Sequence, residues 1–310
     1  MFKIKKLHIF LLAILLISFI GCTTSVIENE QTEVPRSAED FPMEIVDSYN
    51  RTVLIDSEPQ RVISIGPNMT ETIFGLGKED KLVGRSDFCD FPEETENIDT
   101  VGSIQEPSIE KIVELKPDIV IVSTHFNKEV IDKIENTGIK IVAFYGDESF
   151  EGVYSTIENV GRVLNAKEEA QMVVEEMQEK VEDVLKRVEG RQRPTVYYVV
   201  SYGEMGDYTA GGDTFIGKMI EMAGGINAAK DAKGWGYSLE KLIESNPDIL
   251  ICSKYYDSKE GIKNSHGYKD LDAVKNEMIF EIDNNLLDRQ GARLAEGLVE
   301  LAKIIHPEAF

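Results

Sequence analysis

Residues 108–123 read SIEKIVELKPDIVIVS and residues 238–253 read SLEKLIESNPDILICS, identical at nine of sixteen positions. Each copy begins as a short amphipathic helix, turns at a Pro-Asp pair and enters an unbroken apolar run, Ile119 to Val122 in the first and Ile249 to Cys252 in the second. A run without polar alternation suits a parallel strand covered on both faces, and a helix leading straight into it is half of a βαβ unit. Copies 130 residues apart are too distant for a solenoid of stacked short repeats. The repeat therefore predicts two similar α/β lobes with a cleft between them.

The 310 residues are enough for two domains of about 100–150 residues each. Residues 1–22 belong to neither. Lys3, Lys5 and Lys6 precede the apolar run Ile9 to Ile20, too short for a membrane span and right for a signal peptide. The run ends in Ser18-Phe19-Ile20-Gly21-Cys22, which resembles a lipoprotein signal with Phe19 where Leu is usual; in that pattern Cys22 becomes the lipidated first residue. The alternative is an ordinary cleaved signal with an incidental cysteine. Residues 23–40, polar and broken by Pro35, read as a disordered tether. The remainder divides into an N-terminal lobe (41–148), an interlobe helical segment (149–190) and a C-terminal lobe (191–310).

The net charge of −23 falls to −26 once the three signal lysines are removed. That argues against nucleic acid or anionic lipid as partner and leaves the lipid anchor as the only membrane contact. Cys89 and Cys252 fall in different lobes, so no disulfide is expected.

In chain order, Met43 to Ile55 alternates like an edge hairpin, and Arg61 to Ile65 is the first buried strand. A helix is expected over Thr70 to Leu76, strands over Leu82 to Gly84 and Ile139 to Phe144, and helices over Lys128 to Thr137, Ser149 to Leu164 and Lys167 to Val188. The last of these has an apolar stripe of Met172, Val173, Met177, Val181, Val184, Leu185 and Val188, suited to lying against both lobes and limiting their opening. The second lobe continues with a strand from Thr195 to Val200 and a helix from Thr214 to Ala223 capped by Asp213. A loop from Tyr255 to Gly267, a strand from Ile279 to Ile282 and a helix from Gly291 to Ile305 complete it.

Ligands of open α/β sheets sit beyond the carboxyl ends of the strands. Those ends collect Ser64 to Asn68, Asp87 to Phe91, Ser123 to Phe126, Tyr145, Ser201 to Tyr208, Tyr255, Tyr256 and Asn284 to Arg289. The set is rich in aromatic rings, flat apolar surface for a large ligand, and poor in catalytic types. No nucleophile elbow, P-loop or spaced cysteine pair occurs. His125 and His266 stand without a close acidic cluster, so no metal site, cofactor or catalytic residue is assigned. A surface enzyme using His125, Asp87 and the Gly211 turn is the competing reading. Glu110 and Glu240 lie in the first turns of the two repeat helices, where the helix dipole favours a carboxylate. Their matched placement also suits pairing with basic residues of a two-fold partner.

From Arg61 to Pro307 the chain resembles the substrate-binding proteins that deliver cobalamin, iron-siderophores or haem to ABC importers, the class whose lobes are joined by a rigid helix. The resemblance is carried by Arg61-Val62-Ile63-Ser64 with Thr70-Glu71, Asp90-Phe91-Pro92, the two repeat copies, Thr209-Ala210-Gly211-Gly212 with Ala223-Gly224-Gly225, and Arg289 with Arg293. It implies two lobes with mostly parallel central sheets, a cleft ligand, and docking of Glu110 and Glu240 on arginines of a permease dimer driven by its ATPase. It also implies a monomer whose domain sits on the extracytoplasmic side. Similarity is greatest to the cobalamin-binding branch, whose ring-facing aromatics fall on Phe88 and Tyr208, with Trp235 near another and Arg289 at a cleft arginine. Two indole positions of that branch are here Ile104 and Ser123. The expected ligand site is Phe88, Phe91, Ser123, His125, Tyr208, Trp235, Tyr255 and Arg289. The expected cargo is a corrinoid chelate, with an iron-siderophore or haem as the alternative.

Overall fold

The computed structural model describes residues 40–123 and 126–310. The expected signal peptide, Cys22, His125 and all but the last residue of the 23–40 tether lie outside the described residues. Among the described residues no helix is long and apolar enough to cross a membrane.

The first elements are β1 (Met43–Val46) and β2 (Thr52–Ile55), an antiparallel pair forming its own two-stranded sheet. Then come β3 (Val62–Ile65), α1 (Pro67–Gly75), β4 (Leu82–Arg85), α2 (Ile109–Leu115), β5 (Ile119–Val122), α3 (Lys128–Glu135) and β6 (Lys140–Ala143). They build a parallel sheet in the order β4-β3-β5-β6. Every residue of β3 and β5 is buried, the expected result for strands with helices on both faces. The hairpin is tied to this sheet by Asp47, whose carboxylate pairs with Arg51 and accepts the Ala143 amide at 3.2 Å.

Two helices, α4 (Phe150–Val163) and α5 (Lys167–Val188), lead to β7 (Thr195–Ser201), β8 (Tyr208–Thr209), α6 (Phe215–Met222), β9 (Ile226–Asn227), α7 (Leu239–Ser245) and β10 (Ile249–Ser253). The chain closes with α8 (Ser258–Asn264), α9 (Asp272–Lys275), β11 (Ile279–Ile282), α10 (Asn285–Asp288) and α11 (Leu294–Ile305). The second sheet runs β11-β10-β7-β8; β8 is antiparallel to β7, and β9 adds in parallel to the start of β7.

The two repeat copies adopt one local structure. Ser108 and Ser238 cap α2 and α7 by accepting the amides of Lys111 and Lys241, both at 3.3 Å. Lys116 and Asn246 close the helices in the left-handed conformation. The Pro-Asp aspartate does more than turn the chain. Asp118 accepts the amides of Gln60 and Arg61 just before β3, and Asp248 accepts the amide and hydroxyl of Thr195 at the start of β7. Each copy thus pins the beginning of the strand its own strand will pair with.

The helices between the sheets belong to both halves. One continuous apolar cluster contains Val62 and Ile119 of the first sheet, Val196 and Ile249 of the second, and the inner faces of α4, α5 and α11. Separate clusters cover the outer faces of the two sheets. In α5 the buried stripe is Ala170, Val174, Met177, Val181, Val184 and Val188, strict alternation of three and four. The expected Met172 and Leu185 lie off that seam and are exposed, at 56% and 43%. Where α4 crosses α5, a Cβ on Gly161 would stand 2.5 Å from Ala170 Cβ, so only glycine permits this approach.

Three expectations are corrected. The helix after β3 begins at Pro67, not Thr70, because proline at the first helical position costs no hydrogen bond. Thr214, not Asp213, caps α6: its hydroxyl accepts the Gly217 amide, while Asp213 accepts the Gly234 amide. The expected 255–267 loop contains the short helix α8.

Candidate functional site

Between the halves lies a cavity of about 470 Å³, and the carboxyl ends of the strands supply most of its walls. Pro67 and Asn68 follow β3, Ser123 ends β5, and Tyr145 with Gly146 follows β6. Ile104 and Gln105 complete this wall. Glu148, Val153 and Thr156 form the part contributed by α4 and its approach. The opposite wall holds Phe215 and Ile216 at the start of α6, Trp235, and Leu287 to Gln290 at the end of α10.

Gly66 shapes the first wall. It takes φ +123° at the mouth of α1, and a Cβ there would stand 2.7 Å from Ser123 Cβ. This lets the β3 and β5 ends close up and brings Asn68 and Ser123 to one surface. Asn68 Nδ2 donates across the divide to the Gln290 carbonyl at 3.1 Å.

Arg289 makes the main charged link between halves. Its Nη1 donates to Glu71 Oε1 and to Asp90 Oδ1, each at 2.7 Å, and its Nη2 donates to the Phe88 carbonyl at 3.4 Å. Burial alone would lower the guanidinium pKa; Asp90 and Glu71 more than offset it and leave it raised. The Glu71 side chain is 2% exposed, and burial raises its carboxyl above the usual range despite Arg289 and, at 3.7 Å, Arg293. Asp288 opens onto the cavity, so part of its surface is exposed, yet protein encloses it on other sides. That desolvation raises its carboxyl pKa although Asn284 donates to it at 2.7 Å.

Of the expected ligand residues, Ser123, Trp235 and Arg289 line the cavity. Trp235 is 43% exposed and its carbonyl accepts the Thr209 amide, so Tyr208 is next in the chain to its backbone partner but is not among the lining residues. Phe88 is 78% exposed in the left-handed conformation, outside the lining. Phe91 faces elsewhere: the Arg293 guanidinium stacks 3.6 Å from its ring centroid in a separate groove of about 350 Å³ between α1, α5 and the start of α11. The Tyr255 hydroxyl donates to Asp283 at 3.2 Å and Lys254 lies over its ring, so it is held in a polar cluster outside the cavity lining. Glu110 and Glu240 are exposed at the second position of α2 and α7. Sequence reasoning missed Gln105, Glu148, Thr156, Phe215 and Gln290. The strand-end rule does not reach Thr156 within a helix, and amide side chains have no sequence signature. Among the described residues no group of three His, Cys, Asp or Glu side chains is placed to hold a metal ion.

The family model described as periplasmic binding protein matches residues 62–286. An uncharacterized ABC transporter substrate-binding lipoprotein, YvrC of Bacillus subtilis, is 30% identical over 94% of this chain and 93% of its own length. A cobalamin-binding protein of Halobacterium salinarum is 28% identical over 86% of this chain and 74% of its own. Among solved structures, a possible iron-binding periplasmic solute-binding protein from Staphylococcus epidermidis superposes with a TM-score of 0.71 at 29% identity, covering 80% of this chain and 99% of that one.

Proposed function

This chain belongs to the periplasmic binding protein family, and from that premise we propose that it is the extracytoplasmic lipoprotein of an ABC importer whose cleft takes a corrinoid chelate. The relatives matched along most of the chain are substrate-binding proteins, which removes the surface-enzyme reading. There is no bond-making step: the work is capture and delivery.

The observation that carries the ligand reading is the cleft itself. Trp235, Phe215, Tyr145 and Ile104 offer apolar and aromatic surface, and Asn68, Gln105, Gln290, Ser123 and Thr156 offer neutral donors and acceptors. That mixture suits a flat macrocycle fringed with amides. Phe88 and Tyr208 stand outside the cavity lining with exposed rings, and in this reading they would meet a part of a large ligand that projects from it. The 28% identical cobalamin-binding relative supports the same reading. The structural relative described as a possible iron-binding protein supports an iron-siderophore as the second reading, and haem is carried by the same class resemblance. Trp235 is the only tryptophan and lines the cavity, so its emission reports occupancy. Quenching on titration with cyanocobalamin is the expected result; no response to cyanocobalamin, haemin or a ferric siderophore would refute cleft binding of a chelate.

Glu110 and Glu240 supply the proposed contact with a permease dimer. Equal caps, equal helix positions and exposure support the assignment. Reversal of both (Glu110→Arg with Glu240→Arg) should abolish uptake while ligand affinity stays unchanged; a parallel loss of affinity would contradict it.

A further inference from the structure

Resting on the reading that the cleft takes a chelate, we infer that it selects for neutral or cationic chelates bearing amide or hydroxyl groups and rejects anionic ones. Arg289 is the one cation among the described residues that line the cavity, and it is already committed. Its Nη1 serves both Glu71 and Asp90, and its Nη2 faces the Phe88 carbonyl, so a ligand carboxylate or catecholate must compete with two protein carboxylates for it. Glu148 and Asp288 add two further carboxylates to the same walls.

Neighbouring cations redress this balance only in part. Lys218 donates to the Glu148 backbone carbonyl at 3.1 Å and keeps its charge, which offsets one of the four carboxylates that Arg289 alone does not balance. Arg293 lies against Glu71, Glu296 and the Phe91 ring in the other groove. Burial raises the Asp288 carboxyl pKa, and an anion beside it would disfavour its charged form further. At longer range the chain's net charge of −23 repels approaching anions. A porphyrin with ionised propionates or a ferric tris-catecholate therefore meets a net negative pocket. An uncharged corrinoid fringed with amides, or a cationic hydroxamate complex, does not.

The test is isothermal titration calorimetry of the detergent-solubilised full chain with four probes: cyanocobalamin (neutral), ferrioxamine B (cationic), haemin and a ferric tris-catecholate (both anionic). The better of the first two should bind at least about tenfold more tightly than either anion. Asp90→Asn removes a carboxylate that is 63% exposed and frees part of Arg289, so it should narrow the gap severalfold by strengthening the anions. An anionic chelate that binds as tightly as the better neutral or cationic one overturns the selection but leaves chelate binding standing. An Asp90→Asn gap equal to that of the parent chain overturns the role given to Arg289. Silence toward all four overturns the chelate reading and this inference with it.

Discussion

Replacing Arg289 by methionine tests how the two halves are held. The side chain is similar in length and loses only its charge and donors, leaving Asp90 free to hydrate and Glu71 stranded with Arg293 at 3.7 Å. An uncompensated buried charge costs about 3–5 kcal/mol. Glu71 can escape by taking up a proton, which for an ordinary glutamate, with a pKa of about 4.3, costs at most about 3.7 kcal/mol at pH 7 and about 1 kcal/mol at pH 5. Burial has already raised its pKa, so the real cost sits below those ceilings. Arg289→Met should thus lose about 2–3 kcal/mol at pH 7, a Tm drop of about 4–8 °C, and under about 1 kcal/mol at pH 5. Urea unfolding followed by circular dichroism at both pH values measures this. The double variant Glu71→Gln with Arg289→Met should recover most of the loss, because no buried carboxylate is left stranded and Arg293 keeps Glu296 as its partner. Equal losses at pH 5 and pH 7, or a double variant as unstable as the sum of the singles, would refute the reasoning.

Two further outcomes follow from the same geometry. Ser108→Ala and Ser238→Ala should each cost about 1 kcal/mol by removing a helix cap, and the double variant should cost their sum, since the caps share no partner; a clear departure in urea melts would show that the two copies are coupled. Burial would raise the Glu58 carboxyl pKa, but Lys81 and Asn165 more than offset it and hold it below the usual range. The folded protein therefore releases this proton more readily than the unfolded chain. The stabilisation is complete above the ordinary glutamate pKa and fades as pH falls through the lower, folded value. Glu58→Gln should flatten that part of the acid unfolding curve, and an unchanged curve would refute the assignment.

Much of the fold was legible because the repeat and the apolar runs are local signals. Ile119 to Val122 and Ile249 to Cys252 are strands, and Lys167–Val188 is one helix between the expected limits. What escaped depends on partners distant in the chain. Nothing near Phe91 reveals that Arg293 stacks on it, and nothing near Tyr255 reveals Asp283 as its acceptor. Both rings follow strands, as ligand-facing rings do, yet Phe91 is held by a side chain from the far end of the sequence and Tyr255 by one beyond the next strand. The two-residue strand β8 is too short for alternation to register, although its Thr209 amide is held by the Trp235 carbonyl. Pro67 illustrates the reverse case, a residue whose usual meaning as a breaker gave way to its fitness as a helix opener.

The apolar layer common to both halves fixes how the molecule must melt. With Ile119 and Ile249 in one cluster around α4, α5 and α11, each half would keep only the smaller cluster on the outer face of its own sheet once the other is lost. Heating should produce one cooperative transition, and two resolved steps would contradict it. A guest gripped by a handful of side chains then stabilises the entire fold, by about 2.7 kcal/mol at a hundredfold excess over Kd, and raises its midpoint. Heat resistance becomes a label-free gauge of occupancy.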